Sequence, residues 1–158
     1  MTTYRFLVAN GPNLGFLGQR QPEIYGHEGM QHLPDMVKRL LGSKAEHVNL
    51  EFFQGNGEGE IIDRLEQAWR DKLDGIAFNA GAYTHTSLAI ADCLAWIKIP
   101  CAEVHLSNIW ARPEPIRHQS FMGAQVIGVI AGFGLLSYGL AVQALYEHVK
   151  KHEQPIAV

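Results

Sequence analysis

A carboxylate and an imidazole stand two positions apart in the apolar run Cys101–Leu106, where Glu103 and His105 alternate with small or aliphatic residues. Alternate residues of a β-strand point to the same face of a sheet, so we expect these two side chains to lie side by side. A carboxylate next to an imidazole fixes the tautomer of the ring and makes it more basic. The pair therefore predicts a histidine that transfers protons.

A possible catalytic partner for His105 lies in Asn10–Gly26. This stretch is rich in glycine, proline and asparagine and follows an apolar run. It contains Asn13, Arg20 and Tyr25. A guanidinium near a phenol stabilises the phenolate, which lets tyrosine lose its proton below the ordinary pKa of about 10. Tyr25 can then serve as a general base. The alternative is a surface loop whose arginine and tyrosine are simply solvated.

Polar side chains that could hold an anion follow the other predicted strands. Asn79 ends one apolar run, His85 lies a few residues later, and Ser107 follows the run that contains His105. Amide groups such as those of Asn13 and Asn79 can stabilise an oxyanion or bind a carboxylate. The residues alone indicate acid–base catalysis on a small polar molecule.

Other chemistries find weaker support. The eight histidines are scattered and the two cysteines lack the spacing of a zinc site, so we predict no metal. The glycine-rich stretch Gly55–Gly59 contains a glutamate and is followed by no Lys-Ser or Lys-Thr pair, so it is interpreted as a turn into a helix. Ser107 lacks the G-x-S-x-G context of a nucleophilic serine.

Strand-like and helix-like segments alternate along the chain, which is typical of a parallel sheet covered on both faces. The pattern predicts a flavodoxin-like, doubly wound α/β fold with five parallel strands in three α/β/α layers. The predicted strands are Tyr4–Ala9, His47–Phe53, Gly75–Phe78, Cys101–Leu106 and Val126–Ala131. The predicted helices are Met30–Gly42, Glu58–Lys72, Thr86–Ile97 and Leu135–Lys151, with Thr86 or Ser87 as the N-cap of the third.

Length and charge narrow the function further. The chain has 158 residues, which fits one domain over 1–158 with a fraying tail at 152–158. Its net charge of −3 favours neither nucleic acid nor an anionic membrane as a partner, so we expect a small-molecule substrate. Cys93 and Cys101 lie in apolar surroundings and no secretion signal precedes them, which predicts reduced thiols in a cytoplasmic protein.

One segment is long enough to cross a bilayer, because Phe121–Tyr146 carries no charged residue. Its glycines and polar residues divide it instead into a β-branched run, a glycine turn and a helix. We therefore predict a buried strand followed by a helix that covers the sheet.

Several long motifs in this order resemble the type II 3-dehydroquinate dehydratase family, also called type II dehydroquinases. The motifs are GPNLGFLGQRQPEIYG, EGEIID, NAGAYTHTSLAIAD, EVHLSNIWAR and GVIAGFG. The resemblance spans nearly the whole chain. It implies an elimination of water from 3-dehydroquinate that gives 3-dehydroshikimate through an enolate, without a metal or any other cofactor.

The resemblance also implies roles for individual residues. Tyr25 would remove the proton beside the ketone, with Arg20 keeping it ionised and Asn13 stabilising the enolate. His105, oriented by Glu103, would protonate the departing hydroxyl. The remaining matched residues would bind substrate: Asn79, Ser107 and the backbone at Leu106 on the carboxylate, and His85 on a ring hydroxyl.

The same resemblance implies a homo-oligomer and a moving loop. Asp92 would reach the site of a neighbouring subunit in a trimer-based assembly, commonly a dodecamer of four trimers. The loop that carries Arg20 and Tyr25 would close over the substrate as a lid.

The sequence departs from the family after Arg112, where two prolines and one apparent extra residue precede Ser120. A second arginine that contacts substrate hydroxyls falls on Arg117 if the loop absorbs the insertion, whereas strict counting from His105 places Ile116 there. This departure leaves room for a non-catalytic protein that only senses or sequesters a quinate-like ligand. A flavin carrier on the same fold is a more remote alternative.

Overall fold

The computed structural model describes residues 2–19, 23 and 29–153. The strands in this part of the chain are Tyr4–Asn10 (β1), Val48–Gln54 (β2), Gly75–Asn79 (β3), Cys101–His105 (β4) and Gly128–Ala131 (β5). The longer helices are Leu33–Leu41 (α1), Glu58–Arg70 (α2), Leu88–Ile97 (α3) and Leu135–Glu153 (α4). Each lies close to its predicted place.

The strands form one parallel sheet in the order β2-β1-β3-β4-β5. Asn10 at the end of β1 pairs with Asn79 at the end of β3, so these two strands finish at the same level. The order reverses beside β1, and open α/β sheets bind their ligands at such a point, outside the carboxyl ends of the strands. The predicted flavodoxin-like fold is confirmed.

Alternate residues of β1 serve the two faces of the sheet. Phe6 and Val8 pack in the core cluster that contains buried residues of α1 and α4. Leu7 and Ala9 pack in the cluster that contains buried residues of α2 and α3. The result is the predicted three-layer arrangement, and the strand ends are held rigidly from both sides.

Local signals fix the helix ends near the site. The α3 helix begins after Ser87, whose hydroxyl oxygen accepts a hydrogen bond from the Ile90 N–H at 2.9 Å. The glycine-rich turn before α2 does lead into a helix, and the Gly57 N–H donates to Glu60 Oε2 at 3.3 Å. The α4 helix continues to Glu153, two residues into the segment predicted as a tail.

The last strand differs from its prediction. We expected a buried strand at Val126–Ala131, but β5 begins at Gly128, and Val129 is 41% exposed. The reason is that β5 pairs with β4 alone and forms the edge of the sheet. The apolar composition of this segment therefore does not reflect burial within one copy of the chain.

Two further expectations can be compared with the described residues. Cys93 and Cys101 are both buried and are not joined by a disulfide. In the part of the chain that the structure describes, none of the helices combines the length and the apolar character needed to cross a membrane.

Candidate active site

The turns that follow β1 and β3 touch at the carboxyl edge of the sheet. The Gly11 N–H donates to the Asn79 carbonyl at 2.8 Å. A Cβ atom at Gly11 would lie 2.4 Å from the Ala80 carbonyl oxygen, so only glycine allows this approach. The contact brings the segment that contains Asn13 against the end of β3.

Asn13 has a left-handed backbone, with φ of 65°. Asparagine tolerates this conformation better than most residues. Its N–H donates to Asn56 Oδ1 at 3.1 Å, and Gln54 Nε2 donates to the same oxygen at 2.9 Å. The start of the Asn10–Gly26 stretch is thus fixed to the loop after β2.

A buried network of neutral groups holds Asn79. Its Nδ2 donates to the Tyr138 hydroxyl at 2.9 Å, and this hydroxyl donates to Asn10 Oδ1 at 2.5 Å. Asn79 Oδ1 accepts from the Gly81 N–H at 3.1 Å, which sets the orientation of the amide. Burial raises the pKa of Tyr138 far above its ordinary value, so the phenol stays protonated.

A charged chain of contacts holds His105. Its Nε2 lies 2.6 Å from Glu103 Oε1, as the alternation along β4 predicts. The second carboxylate oxygen accepts from the Ser120 hydroxyl at 2.7 Å. Glu103 is 0% exposed, and these contacts satisfy both of its oxygens. With the Nε2–H on the carboxylate, Nδ1 is the ring atom left to exchange a proton with a ligand.

His85 lies next to His105 in a different environment. The two rings are nearly parallel, with centroids 6.3 Å apart. His85 Nδ1 lies 2.6 Å from the Gln119 carbonyl oxygen, so Nδ1 carries the hydrogen and Nε2 is the acceptor in the neutral ring. Burial lowers the pKa of His85, outweighing the opposite effect of the Gln119 carbonyl. A neutral imidazole therefore faces the same space as His105.

These groups line a cavity of about 130 Å³. Seven of the predicted site residues lie on its wall: Asn13, Asn79, His85, His105, Leu106, Ser107 and Arg117. Glu103 lies behind His105. The other residues of the wall are Pro12, Leu14, Gly81, Ala82, Ile109 and Arg112.

The segment after Arg112 contains a short 3-10 turn, Pro115–His118. Arg117 lines the cavity and its Nε lies 3.3 Å from Glu114 Oε2, whereas Ile116 is 57% exposed and is not part of the wall. The structure thus places Arg117 where a substrate-binding arginine is expected.

Three predicted residues are not brought to this cavity by the described structure. Asp92 is exposed on α3 and is not part of the wall. Arg20 and Tyr25 lie outside the described residues, so the lid assigned to them is not described either.

Other residues at the site were missed by the sequence reasoning. Arg112 lines the cavity and donates to the Ser107 hydroxyl at 3.2 Å. Its place in the EVHLSNIWAR motif was a usable signal. Ser120 contacts Glu103, but the sequence reasoning noted it only as the serine at the end of the segment after Arg112. Tyr138 contacts Asn79 across 59 positions, and no local pattern marks it.

The prediction of no metal site overlooked one pair. His148 and His152 have the H-x-x-x-H spacing, and their ring centroids lie 4.5 Å apart on α4. Within residues 2–19, 23 and 29–153, no group of three or more His, Cys, Asp and Glu side chains could hold a metal ion. A pair of histidines alone does not make a structural or catalytic zinc site.

The fold and the cavity together define a class of protein: a doubly wound α/β protein with a carboxylate–histidine pair beside a cavity at the carboxyl edge of its sheet. Similarity to known proteins narrows this class. Residues 4–146 match the family model described as dehydroquinase class II. The chain therefore belongs to the class II dehydroquinase family.

Individual relatives agree with this membership. The chain is 49% identical over 146 residues to the 3-dehydroquinate dehydratase of Synechococcus sp. (strain CC9605), covering 92% of this chain and 97% of that protein. It superposes on the type II dehydroquinase of Butyrivibrio crossotus with a TM-score of 0.82 and 42% identity, covering 91% of this chain and 98% of the other. For the type II dehydroquinase of Propionibacterium acnes the TM-score is 0.77 and the identity 38%, with 94% and 98% covered.

Proposed function

We propose that this chain is a 3-dehydroquinate dehydratase of type II, which removes water from 3-dehydroquinate to give 3-dehydroshikimate. The observation that carries the proposal is the buried Glu103–His105 pair, with Nε2 to Oε1 at 2.6 Å, whose histidine lies on the wall of a cavity that six other predicted site residues share. Membership of the family supplies the identity of the substrate. The same step serves aromatic amino-acid synthesis through the shikimate pathway and the breakdown of quinate.

In this proposal His105 is the general acid. With Nε2–H held on Glu103, the protonated ring has its Nδ1–H free to be given to a ligand. The departing hydroxyl takes this proton and leaves as water, and the ring returns to its neutral form with Nε2–H still on Glu103. A positioned acid of this kind contributes about 10²–10⁴-fold to a rate.

The base is Tyr25, ionised beside Arg20. This assignment rests on the match of GQRQPEIYG to the family, because both residues lie outside the described structure. The Tyr25 phenolate takes the proton from the carbon beside the ketone, which leaves an enolate. One proton enters at Tyr25 and one leaves from His105, so the reaction balances without a redox group or a metal.

The enolate and the substrate carboxylate need donors that are already in place. Asn13, on its left-handed turn, is positioned to stabilise the enolate. Asn79, the Leu106 N–H and Ser107 hold the carboxylate, and Arg117 contacts ring hydroxyls. The neutral His85 accepts a hydrogen bond from a ring hydroxyl at Nε2. Donors fixed in this way are worth about 3–4 kcal/mol each in comparable oxyanion sites.

The working unit is proposed to be a homo-oligomer built from trimers, commonly a dodecamer. The exposed position of Asp92 on α3 allows it to reach the site of a neighbouring subunit. The exposed apolar residues of the edge strand β5, including Val129, are consistent with a contact between copies. The buried, unpaired thiols Cys93 and Cys101 fit a reducing compartment such as the cytoplasm.

The direct test is to mix the purified protein with 3-dehydroquinate and follow the ultraviolet absorbance of the conjugated enone. We expect the absorbance to rise with the wild-type protein. Treatment with a chelator should not prevent the rise, because the proposed reaction uses no metal. The absorbance should not rise detectably with Tyr25→Phe or His105→Gln at the same protein concentration. Ile116→Ala, which changes an exposed side chain of the same loop, serves as the matched control and should retain the wild-type rate.

Two results would contradict the proposal. Binding of 3-dehydroquinate without any rise in absorbance would indicate a protein that senses or sequesters the ligand. A Tyr25→Phe variant with a rate near that of the wild type would remove the base from the mechanism.

A further inference from the structure

We propose that Ser120 is a positioning residue for His105, which acts by holding the far oxygen of the Glu103 carboxylate. The inference rests on the proposed function for its effect on turnover. Its effect on the histidine tautomer can be tested separately.

The direction of the hydrogen bonds around Ser120 is fixed by their partners. Its hydroxyl oxygen accepts from the Met122 N–H at 3.2 Å and lies 2.7 Å from Glu103 Oε2. A carboxylate carries no hydrogen to donate, so the Ser120 hydroxyl must donate to it. Ser120 is thereby a donor with a fixed orientation, set by the backbone of its own turn.

The Glu103 carboxylate needs such a donor because it is 0% exposed. Among the described residues, the hydrogen bonds to its oxygens come from His105 at Oε1 and Ser120 at Oε2. Without the second donor, the buried charge would lack one partner, and rotation of the carboxylate would no longer be opposed. Either change would weaken its hold on the Nε2–H of His105.

The other charged or titratable groups around the pair do not replace this donor. His85 stacks beside His105, Arg117 and Arg112 lie on the cavity wall, and the Cys101 thiol lies below on the same strand. Burial raises the pKa of the Cys101 thiol, and the Glu103 charge adds to this effect. The thiol therefore stays protonated.

The neighbours of Ser120 hold it in place in spite of the insertion that precedes it. The Gln119 carbonyl accepts from His85 at 2.6 Å, and the Phe121 N–H donates to the Thr84 carbonyl at 2.9 Å. Three consecutive residues thus attach this segment to the turn that carries His85 and to the strand that carries His105. The Ser120 hydroxyl therefore stays within hydrogen-bond distance of Glu103 at the end of this segment.

The chain contains a matched control with the same local chemistry. The Ser87 hydroxyl lies 2.5 Å from Glu58 Oε1 and accepts from the Ile90 N–H at 2.9 Å. This serine also links a carboxylate to a backbone N–H, but its carboxylate has no histidine attached in the described structure. Ser87→Ala should cost about 1 kcal/mol of stability through the lost N-cap and leave His105 unaffected.

The experiment compares Ser120→Ala, Ser120→Thr and Ser87→Ala in the full-length protein. Steady-state kinetics with 3-dehydroquinate should show a fall in kcat of about 10- to 100-fold for Ser120→Ala, which matches what one hydrogen bond to a buried charge is worth. KM should stay within about twofold, because Ser120 does not line the cavity. Ser120→Thr, which keeps the hydroxyl, should restore most of the rate.

The second readout is the tautomer of His105, from magic-angle-spinning NMR of protein labelled with 15N-histidine. The signal of His105 is assigned by its loss in His105→Gln. At a pH where the ring is neutral, we expect the hydrogen on Nε2 in the wild type, in Ser120→Thr and in Ser87→Ala. Ser120→Ala should show a mixture of the two tautomers.

The outcomes separate this inference from the proposed function. A wild type without turnover would contradict the function, while the tautomer comparison would still test Ser120. An active wild type with an unchanged kcat and a single Nε2–H tautomer in Ser120→Ala would overturn the inference. A Ser120→Thr variant as slow as Ser120→Ala would also overturn it. If Ser120→Ala does not fold, Ser120→Cys, whose thiol is only a weak donor, replaces it in the same comparison.

Discussion

The two sides of the cavity are held by different kinds of hydrogen bond. At the ends of β1 and β3, the neutral groups of Asn10, Tyr138 and Asn79 form a buried chain. At the end of β4, the chain runs from Ser120 through the Glu103 carboxylate to His105. The first positions an amide that need not change its protonation state. The second positions the ring that, in the proposed mechanism, gains and loses a proton.

The two histidines show the same contrast. His85 contacts a backbone carbonyl and is kept neutral by burial, whereas His105 contacts a carboxylate. The rings are only 6.3 Å apart, so the two histidines differ in the group that each ring contacts and not in the cavity that they line. Changes on the β4 side should therefore act mainly on kcat, and changes on the β3 side mainly on binding and stability.

Among the residues that hold the two sides of the cavity, Glu103 gives the largest expected effect, on mutation to glutamine. The amide keeps the shape of the side chain but removes the carboxylate that orients His105. We expect kcat to fall about 100-fold with KM nearly unchanged, because a positioned general acid contributes about 10²–10⁴-fold to a rate. Glu58→Gln is the matched control, and a similar loss in both variants would refute a specific role for the Glu103 charge.

Arg117→Ala should raise KM for 3-dehydroquinate by at least about tenfold, because a hydrogen bond from a charged donor to a substrate hydroxyl is worth about 1.5–3 kcal/mol. Its ion pair with Glu114 is half-exposed and should contribute little to stability. Steady-state kinetics of Arg117→Ala and Ile116→Ala decide which side chain binds substrate. An increase in KM confined to Ile116→Ala would contradict the assignment of this role to Arg117.

Tyr138→Phe tests the side of the cavity at the ends of β1 and β3, which neutral groups hold. Removing the hydroxyl leaves the buried Asn10 Oδ1 and Asn79 Nδ2 without this partner, so the free energy of unfolding should fall by about 1–3 kcal/mol. KM should rise a few-fold while kcat changes less. Chemical denaturation measures the first effect, with Tyr146→Phe as the control, since the hydroxyl of that buried tyrosine has only a 3.5 Å contact with Lys150. A large fall in kcat for Tyr138→Phe would contradict the prediction that changes on the β3 side act mainly on binding and stability.

The smallest expected effect concerns pH. Because burial lowers the pKa of His85 from its ordinary 6.5, the ring is neutral at pH 7 and Nε2 can accept a hydrogen bond. As the pH falls through the lowered pKa, Nε2 gains a proton and this acceptor is lost. KM should therefore rise on acidification below pH 6.5. In His85→Gln, which does not titrate, KM should be higher at neutral pH and should lack this rise.

Much of this contrast could be predicted from local sequence. The alternation in Cys101–Leu106 placed Glu103 and His105 on one face, and the ends of the apolar runs placed Asn79 and Ser107 at one edge of the sheet. The period of a strand and the parallel order of the sheet determine such positions without knowledge of the other residues.

The rest depends on contacts that no local pattern encodes. Tyr138 bonds to Asn10 across 128 positions, and Ser120 reaches Glu103 across 17. The exposure of β5 was missed because an apolar edge strand resembles a buried one in composition. The assignment of the second arginine to Arg117 depends on the path of the loop after Arg112, since counting from His105 alone favoured Ile116.

The most direct test of the central claim is one distance, measured in a crystal structure with a bound substrate analogue that retains the departing hydroxyl and the carboxylate. We predict that this hydroxyl oxygen lies about 2.6–3.2 Å from His105 Nδ1 while the carboxylate contacts Asn79 and Ser107. A ring bound in the cavity with its hydroxyl out of reach of His105, or bound away from the carboxyl ends of β3 and β4, would contradict the account.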